Sequence, residues 1–445
     1  MEDTAVNASS RVPPELWLVI LQHAIYIDSE MLHTGTYDPF ASPPYTLSPP
    51  FTWSVTDIDD IRRNISLRHN LSLVCRQWHA LMSPALYETV LVPSNLSMRY
   101  LHRTLIMTAG REHLARQTRH LILAGHTSHE SAGLLTALFS LMPSIETLSL
   151  LPFAATDKSG HDIVWPADVS RVLGATCGAS LLKMNLFDDA RVFFAGSKDV
   201  LHEFLSHTPN MRALGIQDNF LAHTLKLPRL DKLELLMAQP GLTTSFDPAP
   251  SESTAGDNER DPALPPFPSL NHFYLQASRW PSDTGFLSLQ GPHITTLTLD
   301  VADLSEYSRP DIILRRIAAL WTLLPSVSHV HLISLREQKL GRVFLALPPS
   351  TTHLGIWVPP PTTLTNHTSG LTLLEEQEVF LRGAPEVPAP RVVRLTNPEY
   401  ARWIREEVLE GSGLGKMGPL KGRGVFRLED HEGKVLVEVE GDGEV

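Results

Sequence analysis

Cysteine is nearly absent from this chain of 445 residues: Cys75 and Cys177 are the only two. They could form at most one bridge, which excludes a disulfide-stapled extracellular scaffold of this size. Long apolar runs are missing as well. The longest, near Leu16 to Ile27, is interrupted by Gln22 and His23 and falls short of the roughly 20 residues that cross a bilayer, so no membrane partner is expected. The opening MEDTAVNASS has neither the basic start nor the apolar run of a secretory leader. The Asn-x-Ser/Thr triplets at Asn7, Asn64, Asn70, Asn95 and Asn366 therefore read as chance matches rather than glycan acceptors. Positive charge is the scarcer sign, with 37 Lys and Arg against 49 Asp and Glu, a formal net charge of -12 at pH 7. Such a surface repels a phosphate backbone unless basic residues are segregated into a stripe. No stripe stands out, so no nucleic-acid partner is expected. The reducing interior of a cell, cytoplasm or nucleus, is the expected compartment.

What is present is apolar: 42% of residues are hydrophobic and 19% charged, a composition that folds. The length gives a soft prior of roughly three domains, or one elongated repeat array. Residues 1–10 read as a disordered arm and 11–92 as a helical module. In the module, Pro14 suits a first helical position and Glu15 the positive end of the helix dipole, opening a helix that is apolar nearly all round through Leu16, Trp17, Leu18, Val19, Ile20 and Leu21. So many apolar faces on a short helix point to a partner surface. A Pro-rich loop, 28–55, follows. Thr56 with Asp59 resembles a capping box, and Leu67, Leu71, Val74, Trp78, Leu81 and Met82 fall at helical spacing in a second helix expected to stop at Pro84.

Residues 93–400 repeat. The pattern Pro-x-φ-x-x-φ-x-φ, with φ apolar, recurs at Pro143/Ile145/Leu148/Leu150, Pro209/Met211/Leu214/Ile216, Pro228/Leu230/Leu233/Leu235, Pro268/Leu270/Phe273/Leu275, Pro292/Ile294/Leu297/Leu299 and Pro325/Val327/Val330/Leu332. Helical segments such as 134–142, 200–207 and 312–324 lie between copies, so each unit reads as helix, Pro-bearing turn and short strand. The expected fold class is α/β, an irregular leucine-rich-repeat solenoid with a parallel sheet. An acidic loop at 247–266 reads as disordered. Residues 401–445 read as a C-terminal cap of helix and hairpin, the hairpin turning around Gly433.

Residues flanking the second apolar position should collect on the sheet's opposite face. They include Lys232, Glu234, His272, Tyr274, Gln276, His329, His331, His353 and Trp357. Imidazole, Tyr and Trp gathered on a concave face make a candidate substrate-binding surface for a target protein. Enzymatic signals are poor. His126, His129 and Glu130 lack the spacing and third ligand of a zinc protease. Around Gly415-Lys416 the phosphate-loop pattern is broken by Glu410 and Met417. Neither cysteine sits in a catalytic signature. No catalytic residue, metal or cofactor is expected.

Pro13-Pro14-Glu15-Leu16-Trp17 with Ile20-Leu21, and Leu71-Ser72-Leu73-Val74-Cys75-Arg76-Gln77-Trp78 with Leu81, resemble the two halves of an F-box, most of all those of mushroom-forming fungi. The resemblance covers about 80 residues firmly. It implies a three-helix module that docks on the Skp-type adaptor of a cullin-based ubiquitin ligase, with Pro14, Leu16, Ile20, Leu21, Leu73, Val74, Cys75, Trp78 and Leu81 as adaptor-contact candidates. The chain departs from the family pattern by inserting residues 28 to 64 between the halves. The longer tether need not break the pairing, since closing a flexible loop costs only about 0.6 kcal/mol per doubling of length. By this resemblance the chain is a non-enzymatic substrate-recognition subunit; a free-standing leucine-rich scaffold or inhibitor is the alternative.

Overall fold

In a computed structural model of the protein, the described residues are 12–25, 55–107, 112–123, 131–150, 166–186, 198–217, 228–239, 267–276, 285–301, 310–334, 347–348, 350–358, 391–406 and 426–439. The expected arm 1–10, loop 247–266, the His126/His129/Glu130 group and Gly415-Lys416 lie outside them. The fold is mixed α/β, and among the described residues the strands form one sheet of thirteen in sequence order. These are β1 (Thr89–Val92), β2 (His120–Leu123), β3 (Thr147–Leu150), β4 (Lys183–Leu186), β5 (Ala213–Gln217), β6 (Leu235–Gln239) and β7 (His272–Gln276), then β8 (Thr296–Asp300), β9 (His329–Ile333), β10 (His353–Trp357), β11 (Val392–Leu395), β12 (Phe426–Glu429) and β13 (Val435–Val439). Every neighbouring pair from β1 to β12 is parallel, and β12 pairs antiparallel with β13.

One row of side chains explains the stacking. Val90, Leu121, Leu148, Met184, Leu214, Leu236, Phe273, Leu297, Val330, Leu354, Val393 and Leu428 are aligned strand to strand. All are buried in one continuous apolar core. A residue two places further on in most strands, such as Leu150, Ile216, Leu275 and Leu332, joins the same core, as the two-residue period of a strand requires. The entry to each strand is also repeated. The Arg119 carbonyl accepts from Glu146 and Thr147 N–H, the Glu146 carbonyl from Leu182 and Lys183, and the Leu182 carbonyl from Arg212 and Ala213; the same double acceptance runs through Arg212, Glu234, Asn271, Thr295, Ser328 and Thr352.

Helices cover the core face. They are α4 (Asn95–Met107), α5 (Glu112–Ala115), α6 (Ser131–Leu141), α7 (Ala167–Cys177), α8 (Lys198–Ser206), α9 (Gly285–Gln290) and α10 (Pro310–Leu323). Successive helices α6, α7 and α8 pack on one another, with Leu135, Phe139, Leu173, Leu201 and Phe204 buried beneath. The turn after α9 leaves no room for a side chain. A Cβ on Gly291 would lie 1.9 Å from the Leu323 carbonyl oxygen. Gly291→Ala should therefore destabilise the fold by about 1–3 kcal/mol through overpacking, read as a lower urea midpoint; an unchanged midpoint would show that this turn is not closely packed.

At the far end, α11 (Pro398–Trp403) is capped by Asn397, whose side chain accepts from Glu399 and Tyr400 N–H. The hairpin β12–β13 turns at Gly433, which has φ of 75°, a left-handed conformation that glycine adopts without a steric penalty. A hairpin around Gly433 was expected from the alternating runs that flank it.

Two expectations need correction. The copy starting at Pro228 is out of register: Leu214 pairs with Leu236, not Leu233, and Leu233 instead occupies the turn position of Met211. Leu233, Leu235 and Leu236 are all apolar, so alternation alone does not distinguish the frames. The second helix is also not continuous. Among the described residues, three helices, α1 (Pro14–Ala24), α2 (Val55–Ser72) and α3 (Arg76–Glu88), precede β1. Thr56 lies inside α2 rather than capping it, and Pro84 lies inside α3 rather than ending it.

Candidate functional site

The three N-terminal helices present the first candidate surface. Pro14 stands at the first position of α1, where its missing N–H costs nothing, and the Pro13 carbonyl accepts from Leu16 and Trp17. One edge of α1 faces inward. Leu21 and Ile25 are buried with Met82, against Leu71, Trp78, Leu81 and Ala85, and the Trp17 ring meets Trp78 at a centroid distance of 5.1 Å, tilted 58°. Tilted rings at this distance are a favourable aromatic pair. The two halves separated by the long insertion are therefore in direct contact.

The break between α2 and α3 has a physical cause that the spacing of apolar residues hides. Leu73 and Val74 N–H turn back to Asn70 and Leu71, tightening the helix end. Cys75 is then extended, and its Sγ accepts from Trp78 N–H at 3.4 Å, capping α3. Leu73 and Val74 are thereby lifted out of any helix and onto the surface. Leu16, Ile20, Leu73 and Val74 are 51 to 67% exposed, although all four are aliphatic. Leu18, Val19 and Leu67 extend this exposure. Because Trp17 touches Trp78, the first turns of α1 and α3 lie side by side.

A polar clamp locks the module. Arg68 donates from Nε to Asn64 Oδ1 at 2.7 Å, from Nη1 to the Ala85 carbonyl at 2.7 Å and from Nη2 to the Ile25 carbonyl at 3.5 Å. Asn64 Nδ2 also donates to the Ile25 carbonyl, at 2.8 Å. One buried guanidinium thus ties the end of α1, the middle of α2 and the end of α3. Burial lowers the Arg68 pKa from its usual value, and Glu88, 3.7 Å away, acts in the opposite direction. Sequence reasoning missed both residues. The available signal was their i, i+4 placement on the side of α2 that also carries Leu71. Burial of Asn64 leaves no room for a glycan there.

Of the nine adaptor-contact candidates, Pro14, Leu16, Ile20, Leu73 and Val74 are exposed, Cys75, Trp78 and Leu81 are half-buried, and Leu21 is buried. Both cysteines are free thiols. Burial pushes the Cys177 thiol up to about 11, where it is an inert core group.

The second candidate surface differs from expectation. His272, Tyr274 and His331 are buried rather than displayed. Lys232 and Glu234 precede β6, in the turn, and so do not lie on a strand. The Gln276 side chain is outside the described residues. His329, His353 and Trp357 are half-buried. Alternation correctly separates the two faces of a strand but says nothing of what covers each one.

This face carries buried polar pairs instead. His272 Nε2 shares a hydrogen bond with Thr298 Oγ1 at 2.8 Å, and Tyr274 donates to Asp300 Oδ2 at 2.7 Å. His331 Nε2 reaches Thr396 Oγ1 at 2.9 Å, past Gly355, its register neighbour, which has no side chain to block the way. The His329 and His353 rings stack at 4.5 Å. Beyond them the carboxylate of Glu429 accepts from Arg394 Nε and Nη2 at 2.9 and 2.7 Å.

Burial first, and the neighbouring His272 second, push the His331 imidazole down to about 3. In the unfolded chain the same group takes up a proton below about 6.5. The unfolded state then binds more protons between these values. Stability should therefore fall as pH drops from about 6.5 toward 3, at a slope of up to about 1.4 kcal/mol per pH unit from this group, and be insensitive to it above 6.5. His353, also lowered by burial, adds to the trend. Urea unfolding at a series of pH values checks this: His331→Gln should flatten the slope, and an identical slope in that variant would contradict the assignment.

Among the described residues, no group of three His, Cys, Asp or Glu side chains could hold a metal ion. No helix among them is long and apolar enough to cross a membrane. Compared with known protein families and with curated proteins, the chain matches no family model and no curated protein.

Proposed function

We propose that this chain is the substrate-recognition subunit of a Skp/cullin/F-box-type ubiquitin ligase. In this reading α1–α3 are an F-box-like module, and the strand-and-helix array that follows is an irregular leucine-rich-repeat solenoid that holds the target. The observation that carries the reading is the exposure of Leu16 and Ile20 on α1 and of Leu73 and Val74 in the turn between α2 and α3, beside a closely packed inner side. The Trp17–Trp78 contact brings the two segments together, and exposed aliphatic side chains gathered in this way mark a protein-binding site. All four are among the nine residues that the F-box resemblance assigns to the adaptor.

The chain itself supplies no chemistry in this role. Holding a target lysine near a charged ubiquitin-conjugating enzyme turns an encounter into an effectively unimolecular step. Target capture falls to the accessible part of the array, where His329, His353 and Trp357 are half-buried and Lys232 is exposed. The test is reconstitution: full-length protein mixed with a purified Skp-type adaptor should elute as one complex of equal stoichiometry in size-exclusion chromatography. Separate elution of the two proteins at micromolar concentration contradicts the proposal.

A further inference from the structure

Helix α4 follows β1 and packs against β1, α5 and α6, burying Met98 and Leu105 on its inner side. Its outer side is not an ordinary solvated face. At 100° per residue, Leu96, Arg99, Tyr100, Arg103 and Ile106 fall within one strip about 120° wide. All five are exposed, while the other described side chains of the helix are half-buried or buried. Leu96, Tyr100 and Ile106 are 55 to 60% exposed.

The local charge opposes that of the whole. Between Asn95 and His120 the chain carries Arg99, Arg103, Arg111, Arg116 and Arg119 against Glu112 alone, a net +4 that the Arg119–Glu146 ion pair reduces to +3, in a protein whose net charge is -12. The sequence hides the pair on α4 by scattering arginines among apolar residues. The helical period brings Arg99 and Arg103 one turn apart on the same face as the three large apolar side chains.

We propose that the outer face of α4 is a second protein-binding surface, and that its occupant is an acidic amphipathic segment of a partner protein. Carboxylates one helical turn apart match the Arg99–Arg103 spacing, and apolar side chains beside them cover Leu96, Tyr100 and Ile106. Tyr and Arg are the residues that anchor such interfaces. A nucleic-acid backbone fits less well, because it would meet the two arginines and leave the apolar three in water. The proposal does not depend on adaptor docking by α1–α3.

The probe is a fluorescent synthetic peptide of about four helical turns, with Glu at i, i+4 on one edge and Leu on the adjacent edge. It is titrated against the full chain by anisotropy at low salt. The expected result is micromolar binding that weakens with added salt. Arg103→Glu and Tyr100→Asp should each weaken it about tenfold or more, with unchanged circular dichroism. A peptide of equal charge without leucines should bind more weakly. The Leu16→Asp variant should bind the probe as wild type does, and Arg103→Glu should retain adaptor capture. The proposal is overturned by absence of binding, by indifference to Arg103→Glu and Tyr100→Asp, by loss of probe binding in Leu16→Asp, or by a short DNA duplex competing as well as the peptide.

Discussion

Replacing Leu16 with aspartate should leave the protein folded and remove its capture of a Skp-type adaptor. Leu16 is 54% exposed in the free chain, so a carboxylate there stays hydrated and should shift stability by no more than about 0.5 kcal/mol. It also sits in the first turn of α1, near the positive end of the helix dipole, where a negative charge is favourable. In a complex the same position would be desolvated. Burying an unpaired carboxylate while losing the leucine contact costs about 3 kcal/mol or more, over a hundredfold in affinity. Leu21, five residues along and buried against Met82, is the contrast. Leu21→Asp should unfold the module. Pull-down paired with circular dichroism separates the cases, and full adaptor capture by a folded Leu16→Asp variant would contradict the docking face.

Arg68→Ala is expected to destabilise the fold strongly. The guanidinium donates to Asn64, Ala85 and Ile25 from a buried position. Its removal leaves the Ala85 carbonyl and Asn64 Oδ1 without that donor, at about 1–3 kcal/mol for each buried acceptor. The partly exposed Glu88 contact adds little. The expected loss is about 3–5 kcal/mol, seen as a lower urea midpoint. Arg68→Met keeps the apolar stem without the donors and should recover only a small part of it. Recovery to wild-type stability by methionine would show that the stem, not the hydrogen bonds, holds the helices together.

The strand-and-helix alternation was legible because the same apolar position recurs before every strand and must be buried on one side. Five of the six Pro-bearing copies align as the sequence spacing implies. The sixth failed at β6, where Leu235 and Leu236 each pack, on opposite faces, so the pattern carries no phase. The break at Leu73-Val74-Cys75 was not legible because a thiol replaces the usual hydroxyl, amide or carboxylate cap. The clamp at Arg68 and Asn64 was missed for a related reason: polar residues on a helix read as solvated until the neighbouring segments are placed around them. Burial of His272, Tyr274 and His331 could not follow from alternation, since both the covered and the open face of a sheet have the same period.

Hydrogen exchange of the full chain, with and without a purified Skp-type adaptor, tests the central claim most directly. The account predicts slowed exchange of the backbone amides from Leu16 to Ile20 and at Leu73 and Val74, with the strands from β7 to β10 unchanged. Equal exchange rates at both N-terminal segments in the presence of saturating adaptor would contradict it.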